Sequence, residues 1–378
     1  MVFKQMLEDR SARPDVSSYT TMIRGFCKFG RIGDARQLFD KMLCEPNLVT
    51  YNTLVDGYCK KGLLEDARKI VYQMIVRGKS KPDTVTFTSL IDGYCKKGEL
   101  DLALKYLEEM AKWSCKPNLV TYNSLIYGLC MQGKINVAEK MLVKMLLNGI
   151  KPDVATHTSL LKGFCIAGRL DDAVKHLEEM LRIRIKPDVR SYEVIINEYC
   201  KMGHPMEAMN VLEQMKVQSL VPNVSSFNAV LRALCHLGET ETAFHVLQQM
   251  PRQGTAPNSL SYSIVICKLC KHQGRMRDAE DLVVTMIRKG HSLDASMYSS
   301  LVQGYCESND MEMAVEMFRE MIQKGFVINR ESFSALLKNL CQDSKGSEVE
   351  KVFEEMCRRC HVPEVDLYRR VVDEHLIR

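Results

Sequence analysis

Leu119-Val120-Thr121-Tyr122-Asn123-Ser124-Leu125-Ile126-Tyr127-Gly128-Leu129-Cys130-Met131-Gln132-Gly133 reads as one helix. It runs from the Thr-Tyr-Asn segment to Cys130 and closes three residues later on a glycine. The segment recurs. Cys27, Cys59, Cys95, Cys130, Cys165, Cys200, Cys235, Cys270, Cys306 and Cys341 form a ladder with steps of 35 residues, except 32 at the first and 36 at the second and eighth. A fixed period in this range means one supersecondary unit stacked many times. Gly30, Gly62, Gly98, Gly133, Gly168, Gly203 and Gly238 each follow their cysteine by three. A glycine there tolerates the left-handed conformation that closes a helix. Gly274 stands four after Cys270, Asn309 takes the place in the ninth unit, and Ser344 in the tenth predicts a looser turn.

A second helix follows in each unit. Ala67 and Met74, Ala103 and Met110, and Ala138 and Met145 stand seven apart, two helical turns, so they share one apolar face. Pro-Asp or Pro-Asn then stops the helix in most units, as in Pro117-Asn118 and Pro152-Asp153. We therefore expect an all-α fold, a right-handed superhelical α-solenoid of helix–turn–helix repeats of about 35 residues. Ten repeats tile residues 16–47, 48–83, 84–118, 119–153, 154–188, 189–223, 224–258, 259–294, 295–329 and 330–364. Residues 1–15 read as the second-helix remnant of a truncated repeat, because Phe3 and Met6 match Phe39 and Met42. Residues 365–378 read as a partial-repeat helix. On this reading the chain is a fragment or a shortened product, and no transit peptide is visible in it.

Composition narrows the function. Hydrophobic residues make 46% of the chain, ample for a core that grows with every repeat, and no apolar run approaches the roughly 20 residues that span a bilayer. Equivalent ladder cysteines sit about 10 Å apart in packed helices, too far for a disulfide, so they read as small buried residues. Cys267-x-x-Cys270 has no second pair at zinc spacing. Cys357-Arg358-Arg359-Cys360-His361 matches a haem-attachment string, but Cys360 falls in register with Gly290 and Gly325, an ordinary helix end. We expect no metal and no cofactor. The histidines do not recur in register, and no phosphate loop or catalytic constellation is present, so we expect no enzyme.

The unit Val49-Thr50-Tyr51-Asn52-Thr53-Leu54-Val55-Asp56-Gly57-Tyr58-Cys59-Lys60-Lys61-Gly62, with Asp66-Ala67-Arg68, Met74 and Lys81-Pro82-Asp83, resembles a pentatricopeptide repeat of the P-type class, in the style of plant restorer-like members. The resemblance covers nearly the whole chain. It implies sequence-specific binding of single-stranded organellar RNA, one base per repeat, with the RNA 5′ end toward the protein N-terminus. The rival tetratricopeptide repeat carries a Trp and Leu-Gly signature, whereas the single tryptophan here, Trp113, lies at a helix end.

With Leu119 as position one, positions two, five, nine and thirteen fall on one face of the first helix. Position five is always polar: Thr20, Asn52, Thr88, Asn123, Thr158, Glu193, Asn228, Ser263, Ser299 and Ser334. So is the last residue of each repeat: Asn47, Asp83, Asn118, Asp153, Asp188, Asn223, Asn258, Asp294, Asn329 and Glu364. Helix capping accounts for Asp or Asn at the last position, but not for the confined choice at position five. Uracil and guanine present an N–H at the centre of their pairing edge, adenine and cytosine an acceptor. A carboxylate only accepts, whereas an amide also donates, so Asp favours U or G and Asn favours A or C. The resemblance implies that Thr or Ser at position five selects purines and Asn selects pyrimidines. The expected target is 5′-AUAUG-x-CGA-x-3′, with Glu193/Asn223 and Ser334/Glu364 unassigned.

Position two is expected to supply the stacking wall through Val49, Val85, Val120, Ala155, Arg190 and Leu260, whereas Ser17, Ser225, Ser296 and Glu331 are poor. Position thirteen offers Lys28, Lys60, Lys96, Lys201 and Lys271 to phosphates. The net charge of +5 is modest for a nucleic-acid binder. A protein–protein interaction scaffold is the alternative, and it predicts apolar or aromatic residues at position five, which are lacking. The expected partners are single-stranded organellar RNA and RNA-processing proteins acting in trans, with no membrane and a monomeric chain. The resemblance implies the mitochondrion first and the chloroplast second.

Overall fold

A computed structural model describes residues 14–76, 80–271 and 274–326, with 335, 336 and 339. Asn329, Ser334, Glu364, Cys341, residues 1–13, most of the tenth repeat, the Cys357-to-His361 string and residues 365–378 lie outside the described residues. Among the described residues the chain is all-α, with one short 3-10 helix and no strand. The first helices of repeats one to nine are Val16–Lys28, Leu48–Lys60, Thr84–Lys97, Leu119–Met131, Val154–Ile166, Val189–Lys201, Val224–Leu237, Ser259–Cys270 and Ala295–Glu307. Their second helices are Ile32–Asp40, Leu64–Val76, Leu100–Lys112, Ile135–Leu147, Leu170–Arg182, Pro205–Val217, Thr240–Gln249, Met276–Arg288 and Met311–Gln323.

The chain divides into two compact bodies, Met1–Ile195 and Ile196–Arg378. Within each body, a first helix packs against its own second helix and against the first helix of the next repeat. The seven-residue spacing of Ala and Met places both in this seam. Ala67, Met74, Ala103, Met110, Ala138 and Met145 are fully buried. Position four adds a buried aromatic ring, as at Tyr51, Phe87 and Tyr122. Each such large apolar side chain contributes about 1.5–3 kcal/mol on leaving water. Repeat one is three residues short, and its second helix stops at Asp40, leaving Met42 only half-buried. In repeat seven Pro251 removes a backbone donor, and the helix tightens into a 3-10 turn over Met250–Gln253.

The inter-helix turns behave as the glycine pattern demands. The glycines three after the ladder cysteines and Gly274 all have positive φ, and Asn309 takes the same conformation at φ 61°. A second set of left-handed positions closes the second helices, at Gly149, Gly254, Gly290 and Gly325. Ser114, Arg184 and Ser219 hold that conformation too, with φ of 56°, 61° and 57°. This costs a residue with a Cβ roughly 1–2 kcal/mol. Arg184→Gly is therefore expected to raise stability by about 1 kcal/mol after glycine's greater chain entropy is subtracted, measured as a higher urea midpoint at unchanged slope.

Candidate nucleic-acid interface

In repeats one to eight the last residue is the N-cap of the next first helix. Asn47 Oδ1 accepts from the Thr50 N–H at 3.0 Å, Asp83 from Thr86 at 2.9 Å, Asn118 from Thr121 at 3.0 Å, and Asp153 from Thr156 at 2.9 Å. Asp188, Asn223, Asn258 and Asp294 cap in the same way. Capping thus explains why this position is Asp or Asn. It does not explain the choice between them, because the two cap about equally well.

Position five meets this cap. Asn52 Nδ2 donates to Asp83 Oδ1 at 3.0 Å, and Asn123 Nδ2 donates to Asp153 Oδ1 at 3.1 Å. Asn228 Nδ2 reaches Asn258 Oδ1 at 3.5 Å. Position three of the following repeat, which sequence reasoning left unused, is the third member. Thr86 Oγ donates to Asn52 Oδ1 at 2.6 Å, Thr156 Oγ to Asn123 Oδ1 at 2.5 Å, and Ser261 Oγ to Asn228 Oδ1 at 2.7 Å. Where position five is Thr, two hydroxyls meet: Thr20 and Thr50 at 2.8 Å, Thr88 and Thr121 at 2.7 Å, and Thr158 and Ser191 at 2.7 Å.

This network draws position five away from an open helix face. Thr20, Thr88, Asn228, Ser263 and Ser299 are buried, and Asn52, Asn123, Thr158 and Glu193 are half-buried. The side chains lie between adjacent first helices, where hydrogen bonding to the neighbour offsets desolvation. They still reach the surface at cleft floors: Thr20, Asn47 and Val49 line one concavity of about 530 Å³, together with Ser17 and Arg24. Burial pushes the Asp153 carboxyl up, but hydrogen bonds from Thr156 and Asn123 outweigh it and hold it below the usual carboxylate range. It is an anionic acceptor at neutral pH. Burial pushes the Glu193 carboxyl up, only partly countered by Arg190.

Position two is open to solvent. Val49, Val85, Val120 and Leu260 are 50%, 53%, 57% and 43% exposed. Ala155 and Arg190 are exposed as well. The position-thirteen lysines are exposed but unequal. Lys60 pairs with Asp56 at 2.7 Å, Lys96 with Asp92 at 2.5 Å, and Lys201 with Glu198 at 3.0 Å. Lys28 instead lines a cleft of about 680 Å³ with Arg24, Lys60 and Lys61. Lys271 is exposed at the end of its helix. Burial pushes the ladder thiols Cys59, Cys95, Cys130 and Cys270 up to about 12. Among the described residues no group of three or more His, Cys, Asp or Glu could hold a metal ion, and no helix is long and apolar enough to cross a membrane.

The repeat geometry has counterparts among known proteins. Residues 82–131, 117–166, 158–201, 187–236, 222–271 and 293–342 match the model of the PPR repeat family, and residues 10–43, 43–75 and 331–361 match PPR repeat models. The chain belongs to the PPR repeat family. The fold of this PPR chain is similar to the crystal structure of the pentatricopeptide repeat protein PPR10 from maize. The TM-score is 0.70 at 26% identity, over 96% of this chain and 52% of the maize chain. The PPR chain thus spans about half the length of that protein. PPR10 in complex with an 18-nt psaJ RNA element matches with a TM-score of 0.44 at 25% identity, over the same shares. Yeast Rmd9p in complex with a 16nt target RNA matches with a TM-score of 0.41 at 14% identity, over 96% of this chain and 69% of that one. No curated protein matches the chain.

Proposed function

We propose that the chain is a P-type, restorer-like PPR protein that binds single-stranded RNA, one base per repeat, and acts in organellar RNA processing, stabilisation or translation. Its place is the mitochondrion, with the chloroplast second, and any cleavage or editing is done by proteins acting in trans, because the chain itself binds without catalysing. The observation that carries the reading is the repeated joining of position five to the last residue of the same repeat, as in Asn52 with Asp83 and Asn123 with Asp153. Each pair offers a defined edge to one base, and the neighbouring repeat offers an exposed position-two side chain for stacking. The target is 5′-AUAUG-x-CGA-x-3′.

Selection of short RNAs by the purified chain is expected to return this pattern. For the selected RNA, contacts from Lys28, Lys60, Lys96, Lys201 and Lys271 predict a log–log salt slope of roughly −3.5, at about −0.7 per phosphate. Random selected sequences with a slope near zero would overturn the reading.

A further inference from the structure

We propose that the buried hydroxyl at position three of the following repeat is a specificity-determining positioning residue, which fixes the side chain at position five so that it offers only one kind of hydrogen bond to a base. The inference rests on the RNA-binding reading above and adds a third residue to each base-reading pair.

Repeat four carries the argument. The Thr156 hydroxyl is fully buried and stands 2.5 Å from Asn123 Oδ1. This hydroxyl has one proton and two acceptors in reach, Asn123 Oδ1 at 2.5 Å and Asp153 Oδ1 at 2.9 Å, and the shorter contact assigns the proton to the amide oxygen. Asn123 Nδ2 then faces Asp153 Oδ1 at 3.1 Å. Turning the amide over would set its carbonyl oxygen against the Asp153 carboxylate, two acceptors face to face. Hydroxyl and carboxylate therefore hold the amide in one orientation. Its oxygen is occupied, one N–H is occupied, and the second N–H is the group it can offer a base. Thr86 and Asp83 hold Asn52 in the same way, at 2.6 and 3.0 Å.

This polarity separates two bases that the last residue cannot. Asp153 accepts the central N–H of uracil and of guanine alike. Beside that N–H, uracil carries O2, an acceptor that welcomes the amide N–H of Asn123. Guanine carries the N2 amine there, a donor that meets a fixed donor. An amide free to turn would present its carbonyl to that amine and admit guanine. The discrimination thus requires an Asn that cannot turn, and Thr156 acts with Asp153 to prevent the turn.

Among the described residues, one first helix lacks the position-three hydroxyl. Position three of repeat nine is Met297, fully buried and without a hydroxyl, although its N–H still bonds the Asp294 cap at 2.9 Å. Position five of the preceding repeat, Ser263, lies 3.8 Å from the Cys267 thiol of its own helix. It lacks the hydroxyl neighbour that Thr20, Thr88 and Thr158 have, and repeat eight is expected to be the least selective of the paired repeats.

The test measures the affinity of the full chain for the target RNA with U or G at its fourth base. Thr156→Val keeps the side-chain shape and removes the hydroxyl. It is expected to lower the U-over-G ratio about tenfold, the worth of one well-placed hydrogen bond, mostly by admitting G. Thr156→Ser is expected to keep the parent ratio. Met297→Thr is expected to sharpen selection at the eighth base, a gain that a merely destabilised chain does not give. A Thr156→Val chain with the parent ratio overturns the proposal and leaves the RNA reading standing. A parent chain without any U-over-G preference overturns both. If Thr156→Val fails to fold, an unchanged eighth-base preference in Met297→Thr overturns the proposal by itself.

Discussion

Asn123→Thr is expected to exchange uridine for guanosine as the preferred fourth base. The substitution recreates at repeat four the combination already present at repeat five, where Thr158 precedes Asp188. Thr158 lies in the same packing environment, with its hydroxyl 2.7 Å from Ser191. A threonine at 123 would meet the Thr156 hydroxyl as Thr88 meets Thr121, at 2.7 Å. The amide N–H that matched uracil disappears, and a hydroxyl oxygen able to accept an amine takes its place. Asp153 remains and keeps its demand for a central N–H, so the new purine is guanine rather than adenine. Losing one hydrogen bond on uridine and gaining one on guanosine shifts the ratio by about 2.8 kcal/mol, or about a hundredfold. Fluorescence anisotropy with two RNAs that differ only at the fourth base reads this directly. If the variant still favours uridine, the register that pairs Asn123 with the fourth base is wrong.

The repeat itself was legible because it is written ten times. Ala and Met seven apart, a glycine after most ladder cysteines and an Asp or Asn before the first helices are local signals, and each has a local structural cause. Asn309 shows how far this reasoning reaches: it replaces a glycine, and it adopts the conformation that glycine was expected to supply. What remained hidden lies between repeats. Position three drew no reading from the sequence, because its tie to Asn52 or Asn123 spans more than thirty residues and depends on the stagger of two helices. The half-burial of position five was hidden for the same reason. The histidines read as scattered, yet His157 Nδ1 lies 3.0 Å from His176 Nε2 within repeat five, where His157 fills the aromatic place of position four. The lysines at position thirteen were read as open to phosphates. Asp56 and Asp92 stand one turn before Lys60 and Lys96 and partly satisfy them, a pairing the sequence contains but the search for cations passed over.

The close approach at the first seam has a determinant of its own, and removing it is expected to cost stability and base selection together. Gly57 in the second repeat rests on Cys27 of the first. A methyl group at Gly57 would lie 2.5 Å from Cys27 Sγ and 3.0 Å from its Cβ. The same pairing sets Gly93 on Cys59, Gly128 on Cys95 and Gly163 on Cys130. At these seams the ladder cysteine is half of a glycine–cysteine contact that lets successive first helices approach closely, whereas Glu198, Ala233 and Lys268 take the glycine's place in repeats six to eight. That approach brings Thr20 within 2.8 Å of Thr50 across the same seam. Gly57→Ala forces the helices apart at a cost of about 1–3 kcal/mol for overpacking, of which the better helix propensity of alanine returns at most about 1. A net loss of about 1–2 kcal/mol in urea unfolding is expected, with weakened selection for adenosine at the first base. Cys27→Ala takes away the Sγ that the new methyl would strike. The double variant should recover more than the two separate effects predict, a coupling that a double-mutant cycle measures. Equal stability of Gly57→Ala and the parent, or strict additivity in the cycle, would show that the spacing of the readers is set elsewhere in the repeat.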